Sequence, residues 1–341
     1  MRIAVDVMGG DHGCVVVIDG IKQALATEPA IQEIHLVGNE AEISAALGQL
    51  NFRDSRLTIH HASEVLTMED KPVLALRRKK DCSILRAVDL VRDGRAEAVI
   101  SSGNTGGILA ASTIRLRTLE GVERPAIAAV MPSRTGSWVL IDAGANPEST
   151  PVQLMQSAVM GSVYAREMLA LERPRVGVLS NGAEEIKGTD LTRETLGLCR
   201  QLDLNFLGFV EGHDLFADKV DVVVTDGFVG NIVLKSCEAL GMAVIALLKT
   251  ELTANPLRRL GALLSASGLR AMKRRMDPQT YGGAPMLGLN GVVFKVHGSA
   301  RAQAVQNAVI QVTRALRLRV NEAIVREIEA ARERTGSVQA A

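Results

Sequence analysis

Short runs that are apolar almost throughout alternate along the chain with longer stretches of helical periodicity. The runs are RIAVDV, EIHLVG, RLTIHH, EAVISS, AIAAVMP, SWVLID, RVGVLS, NFLGFV, DVVVTD and GVVFKV. Apolar residues at successive rather than alternate positions suit strands covered on both faces, as in a parallel sheet between two layers of helix. Between the runs, VVVIDGIKQALA, CSILRAVDLVRDG, VQLMQSAVMGSVYAREML and TRETLGLCRQL read as helices. The alternation predicts an α/β fold with a doubly wound, mostly parallel sheet. No internal repeat or low-complexity linker divides the chain. Residues 1–328 therefore read as one α/β unit, with two halves about a central cleft and a helical arm at about 240–280. A frayed tail, 329–341, ends in GSVQAA.

Open α/β sheets bind ligands beyond the carboxyl ends of their strands, so the residues after each run hold the candidate chemistry. These segments are MGGDHG, SGNTGG, AGANPEST, NGAEEIKGTD, GFVGN and, late in the chain, YGGAPMLGLNG leading into KVHGSA. Each pairs glycine with Asp, Asn, Lys or His. Glycine lets backbone N–H groups approach a ligand closely, and a helix N-terminus adds partial positive charge. Six such loops, expected to converge at one sheet edge, predict a small-anion or acyl-phosphate site, with plain turn chemistry as the alternative. The candidate binding residues are Gly9, Gly10, Asp11, Asn104, Thr105, Gly106, Asn146, Asp226, Gly227 and Gly230. No loop has the GxGxxG or GxxxxGK[ST] spacing, which argues against dinucleotide and nucleoside triphosphate sites.

Composition narrows the setting. The chain has 341 residues, 47% of them hydrophobic, enough for one large core or two modest ones. A net charge of +1 and an aromatic content of 3% argue against a nucleic-acid partner. Cys14, Cys82, Cys199 and Cys237 lack CxxC spacing and read as reduced structural thiols. No HExxH or carboxylate–histidine cluster predicts a metal, no GxSxG elbow predicts a serine nucleophile, and His60 and His61 read as packing or surface residues. The start of the chain lacks a leader pattern, and no apolar run counts as long enough to span a bilayer; a cytoplasmic protein is expected.

One segment departs from this pattern. In PLRRLGALLSASGLRAMKRRM, Leu257, Leu263 and Leu264 stand among Arg258, Arg259, Arg270, Lys273, Arg274 and Arg275, with no acid before Asp277. A helical hairpin broken at Gly268 would offer leucines flanked by cations to an anionic bilayer or to an acidic carrier protein. A dimerisation arm is the competing reading.

Taken in order, VDVMGGDHG, SSGNTGG, DAGAN, EEIKG, TDGFVGN and YGGAPMLG…KVHGSA closely resemble the PlsX-type phosphate acyltransferases, the acyl-acyl-carrier-protein:phosphate acyltransferases of bacterial phospholipid synthesis. The resemblance runs from residue 1 to about 325. Small departures are Cys14 for a usual proline, Ser102 and Gly107 for usual alanines, Ala183 within a usual acidic run, and Val296 for a usual serine. The resemblance implies a fold similar to phosphotransacetylases and isocitrate or isopropylmalate dehydrogenases. It also implies a homodimer peripherally associated with the inner face of the cell membrane, and a reaction without cofactor or metal. A long-chain acyl group would pass from acyl carrier protein to inorganic phosphate, and the acyl phosphate would serve a membrane glycerol-3-phosphate acyltransferase. For that chemistry Lys187 and Asn231 are the first candidates to stabilise phosphate and the tetrahedral oxyanion, with Asn104, Asn146 and His297 next. A metal-dependent dehydrogenase of similar fold and a non-catalytic carrier- or lipid-binding scaffold are the alternatives.

Overall fold

A computed structural model describes residues 1–339. The chain opens with β1 (Arg2–Asp6), α1 (Gly13–Thr27), β2 (Glu33–Gly38), α2 (Glu40–Gln49), β3 (Leu57–His61), α3 (Pro72–Arg78), α4 (Ser83–Arg92), β4 (Ala98–Ser101) and α5 (Thr105–Leu116). A middle section follows: β5 (Ala126–Pro132), β6 (Ser137–Ile141), α6 (Pro151–Leu169), β7 (Arg175–Leu179), α7 (Asp190–Cys199), β8 (Asn205–Val210) and β9 (Val222–Val224). The last section comprises α8 (Gly227–Thr253), α9 (Pro256–Leu264), α10 (Ala266–Met276), β10 (Ala284–Leu287), β11 (Val292–Lys295), α11 (Ala302–Arg317) and α12 (Val320–Gln339).

The strands form one sheet in the order β3-β2-β1-β4-β11-β10-β5-β6-β9-β7-β8. All ten apolar runs are strands. The eleventh, β10, was not expected: its four residues APML sit between glycine turns and include a proline. It lies antiparallel to β11 and β5, and β5 lies antiparallel to β6; the remaining pairs are parallel. Both faces are covered as the patterning required. Ile3 and Val5 of β1 pack on one side while Ala4 packs on the other, and Val222 and Val224 of β9 oppose Val223 in the same way. Fully burying each such valine or isoleucine contributes about 1.5–3 kcal/mol.

The strand directions correct one expectation. Because β5 and β6 form an antiparallel pair, β6, β9, β7 and β8 run opposite to β1, β4 and β11. The six glycine loops therefore leave the sheet in two sets rather than at one edge. The β1, β4 and β11 loops form one set, and those after β6, β9 and β7 form the other.

Three further differences lie at the periphery. The segment expected to fray after Glu329 continues as α12 through Gln339, because Ile324, Ile328 and Ala331 form a buried stripe and Arg166 pairs with Glu327 at 3.0 Å. In the arm, Ser265, not Gly268, separates α9 from α10; Gly268 lies within α10. Finally, α8 is long and apolar enough to cross a membrane by length and composition, and none of its most apolar stretch is buried. Its charged residues Lys235, Glu238, Lys249 and Glu251 flank the uncharged stretch ALGMAVIALL.

Candidate functional site

The first loop set is organised by three polar residues at the ends of adjacent strands. Asp6, Ser101 and Lys295 occupy one row across β1, β4 and β11, Asp6 paired with Ser101 and Ser101 with Lys295. All three are buried. Ser101 Oγ donates to Asp6 Oδ2 at 2.7 Å and accepts from Gly103 N–H at 3.0 Å, while Met8 N–H donates to Asp6 Oδ1 at 3.2 Å. Burial pushes the Asp6 pKa up, against the pull of these hydrogen bonds and of Lys295. Gly9 lies so close to the β4 loop that an added Cβ would be 2.4 Å from Gly103 Cα. Asp11 N–H donates to Gly298 O at 2.9 Å, which ties the β1 loop to KVHGSA. His297 is exposed, with Nδ1 2.8 Å from Ser299 Oγ.

Within this set Asn104 is fully engaged by the protein. Its Oδ1 accepts from Gly107 N–H at 3.0 Å as the cap of α5, and its Nδ2 lies 3.1–3.3 Å from the carbonyls of Thr67, Met68 and Asp70. Gly106 provides packing room, since a Cβ there would be 2.7 Å from the Pro72 ring. Thr105 is exposed on the first turn of the same helix.

The second set is centred on Asp142. Its Oδ1 accepts from the N–H groups of Ile127, Gly144 and Ala145 at 3.1, 3.0 and 2.8 Å. Its Oδ2 accepts from Asn146 N–H at 2.7 Å and Asn146 Nδ2 at 2.9 Å. Asn146 Nδ2 also donates to Pro125 O at 2.7 Å, so its amide braces the loop. The first turn of α8 docks on this loop. Gly227 N–H donates to Asn146 O at 2.8 Å, and a Cβ on Gly230 would lie 1.8 Å from Asp142 O. Asp226 Oδ1 caps the helix by accepting from Phe228 and Val229 N–H, both at 3.0 Å. Asn231 emerges one residue later, exposed against Gly144 and without a hydrogen-bond partner among the described residues. Gly144 has φ +137°, a conformation that disfavours a side chain there.

Helix α8 links the two sets. Lys235 follows Asn231 by four residues on the same helical face, and it lies within electrostatic reach of Lys295. Lys187 sits apart in the exposed loop after β7, its stem against Gly182 and its ammonium without an ion pair among the described residues. In the arm, Leu257, Leu263 and Leu264 are 79%, 71% and 79% exposed. Arg258 pairs with Glu251 at 2.5 Å and Arg259 donates to Thr253 O at 2.9 Å. Arg270, Lys273, Arg274 and Arg275 are exposed without ion pairs among the described residues.

Sequence reasoning missed Lys295, Lys235 and the buried Asp6–Ser101 pair. The available signal was a polar residue closing each of three apolar runs that prove to be neighbours. Among the described residues no group of three or more His, Cys, Asp or Glu could hold a metal. The cysteines are unpaired, and burial pushes their thiols up, Cys199 to about 12, so none is poised as a thiolate. His60 Nε2 lies 3.0 Å from His35 Nδ1, a packing arrangement as expected.

The architecture matches the crystal structure of a phosphotransacetylase from Streptococcus pyogenes with a TM-score of 0.62. That match, at 19% identity, covers 93% of this chain and 94% of the other. The likeness establishes the fold. The chain belongs to the family described as "Fatty acid synthesis protein", whose sequence profile matches residues 1–323. A curated phosphate acyltransferase of Myxococcus xanthus is 47% identical over 312 residues, covering 90% of this chain and 88% of that protein. One from Akkermansia muciniphila is 44% identical over 314 residues, covering 90% of each. The chain is an acyltransferase of lipid biosynthesis that moves an acyl group to phosphate.

Proposed function

We propose that the acyl donor is a long-chain thioester of acyl carrier protein and that the acyl phosphate product enters phosphatidic acid synthesis. A phosphate oxygen attacks the thioester carbonyl, the tetrahedral intermediate collapses, and the carrier leaves as a thiolate that takes up a proton. Neither a covalent enzyme intermediate nor a redox partner is needed. Asn231 and Lys187, whose amide and ammonium have no partner among the described residues, are the proposed oxyanion donors. His297 completes the proposed catalytic set from the β11 loop. A single oxyanion donor of this kind typically contributes about 3–4 kcal/mol to the barrier.

The observation that carries the choice of donor and setting is the arm. Exposed leucines on α9 adjoin four cations on α10 that have no ion pair among the described residues, a surface suited to an acidic carrier protein and to an anionic membrane. The apolar surface of α8, where Leu240, Met242 and Leu247 are 66–67% exposed, supports a homodimer in which a second copy covers it. In this reading the enzyme works at the cytoplasmic face of the cell membrane, beside the acyltransferase that consumes its product. The test is release of free thiol from palmitoyl carrier protein by the purified enzyme, with and without phosphate, metal and nucleotide omitted. Phosphate-dependent release is expected; equal binding with no release would favour a scaffold.

A further inference from the structure

The mechanism above leaves Lys295 without a task, yet its surroundings are those of an anion site. It is buried at the carboxyl end of β11, and its ammonium carries three donors. Its one hydrogen bond within the described residues goes to the Val296 carbonyl, which leaves two donors unfilled. The Ser102 hydroxyl, also buried, has no partner among the described residues, and it lies 3.0 Å from where a Cβ on Gly10 would stand. The N–H groups of Gly9 and Gly10 have no acceptor among the described residues. Unfilled donors in such number, from three adjacent strand ends, call for an oxygen-rich anion rather than for further packing.

We propose that Lys295, the Ser102 hydroxyl and the Gly9–Gly10 amides hold the phosphate of the acyl-transfer reaction, with Lys235 facing it from α8. The assignment rests on the phosphate acyltransfer proposed above and gives that substrate its binding residues. The charged groups facing Lys295 are Asp6 on β1, Asp11 in the loop after it and Lys235 on α8. Burial brings the Lys295 pKa down to about 8, with the two aspartates pulling upward and Lys235 adding to the depression. The ammonium is therefore charged at neutral pH and lost as pH rises through about 8, so phosphate should bind more weakly above that pH.

Steady-state kinetics with phosphate varied at saturating acyl donor, and then the reverse, test the assignment. Lys295→Met is expected to raise the phosphate KM by about tenfold or more, the loss typical of a hydrogen bond to a charged group. Ser102→Ala, which breaks no internal hydrogen bond, should raise it by about threefold or more. The KM for the acyl donor should stay within about twofold in both. The unaltered enzyme should lose kcat/KM for phosphate as pH rises past about 8, and Lys295→Arg, which does not titrate in this range, should remove that fall. If Lys295→Met does not fold, Ser102→Ala and the pH profile decide. An unchanged phosphate KM in Ser102→Ala, together with an unaltered alkaline limb in Lys295→Arg, would overturn the assignment while leaving phosphate-dependent turnover intact. Turnover by the unaltered enzyme that ignores phosphate would instead refute the acyltransfer reading itself.

Discussion

Asp142→Asn tests whether the second loop set is held by one carboxylate. Both Asp142 oxygens are occupied, Oδ1 by three backbone amides and Oδ2 by the backbone and side-chain nitrogens of Asn146. An asparagine can keep the three-amide side only by turning its NH2 toward Asn146, where it meets two donors at 2.7 and 2.9 Å. Two hydrogen bonds to a charged acceptor are lost, at about 1.5–3 kcal/mol each, so the substitution should cost about 3–6 kcal/mol. Asp226→Asn is the internal control. Asp226 uses Oδ1 alone to accept from Phe228 and Val229, and asparagine caps a helix about as well as aspartate. Thermal unfolding of both variants alongside the unaltered protein measures the contrast. At about 2 °C per kcal/mol, Asp142→Asn should melt about 6–12 °C lower, with Asp226→Asn within about 1 °C. Equal melting temperatures for the two variants would refute the account of this loop.

The docking of α8 gives a second expectation. Gly230→Ala sets a methyl against the Asp142 carbonyl, so it should lower stability by at least about 1–3 kcal/mol and reduce turnover by displacing Asn231. Unfolding and activity assays should move together. Lys187→Ala should leave the melting temperature unchanged, because Lys187 is exposed and unpaired, while turnover falls by about tenfold or more; full activity would remove Lys187 from the site. Arg274→Glu with Arg275→Glu should weaken flotation with anionic vesicles or capture of acyl carrier protein, and more so at low salt. Unchanged binding to both would take the arm out of the proposed function.

Much of this architecture is legible in the chain because strands buried on both faces must be apolar throughout. RIAVDV, EAVISS and DVVVTD announce themselves in that way, and Thr150, Pro151 and Gln153 mark the start of α6 through a capping box. Strand direction is a different matter. Whether SWVLID runs with or against RIAVDV depends on the β5–β6 pairing and on β10, a four-residue strand with a proline that no periodicity distinguishes from a loop. That one reversal separates loops that look equivalent in sequence. Side-chain commitments are equally hidden: Asn104 and Asn146 look like free amides, but each is engaged by distant backbone carbonyls. Lys295 was passed over for the opposite reason, since a lysine ending an apolar run looks like a solvated edge until its neighbours bury it.

The central claim is that an acyl group passes from a carrier thioester to phosphate. Turnover of palmitoyl carrier protein with heavy-oxygen-labelled phosphate, analysed by mass spectrometry, tests it most directly. The account predicts acyl phosphate that retains every labelled oxygen, formed one-for-one with free carrier thiol. Unlabelled free fatty acid, appearing at the same rate without phosphate, would show a thioesterase and contradict it.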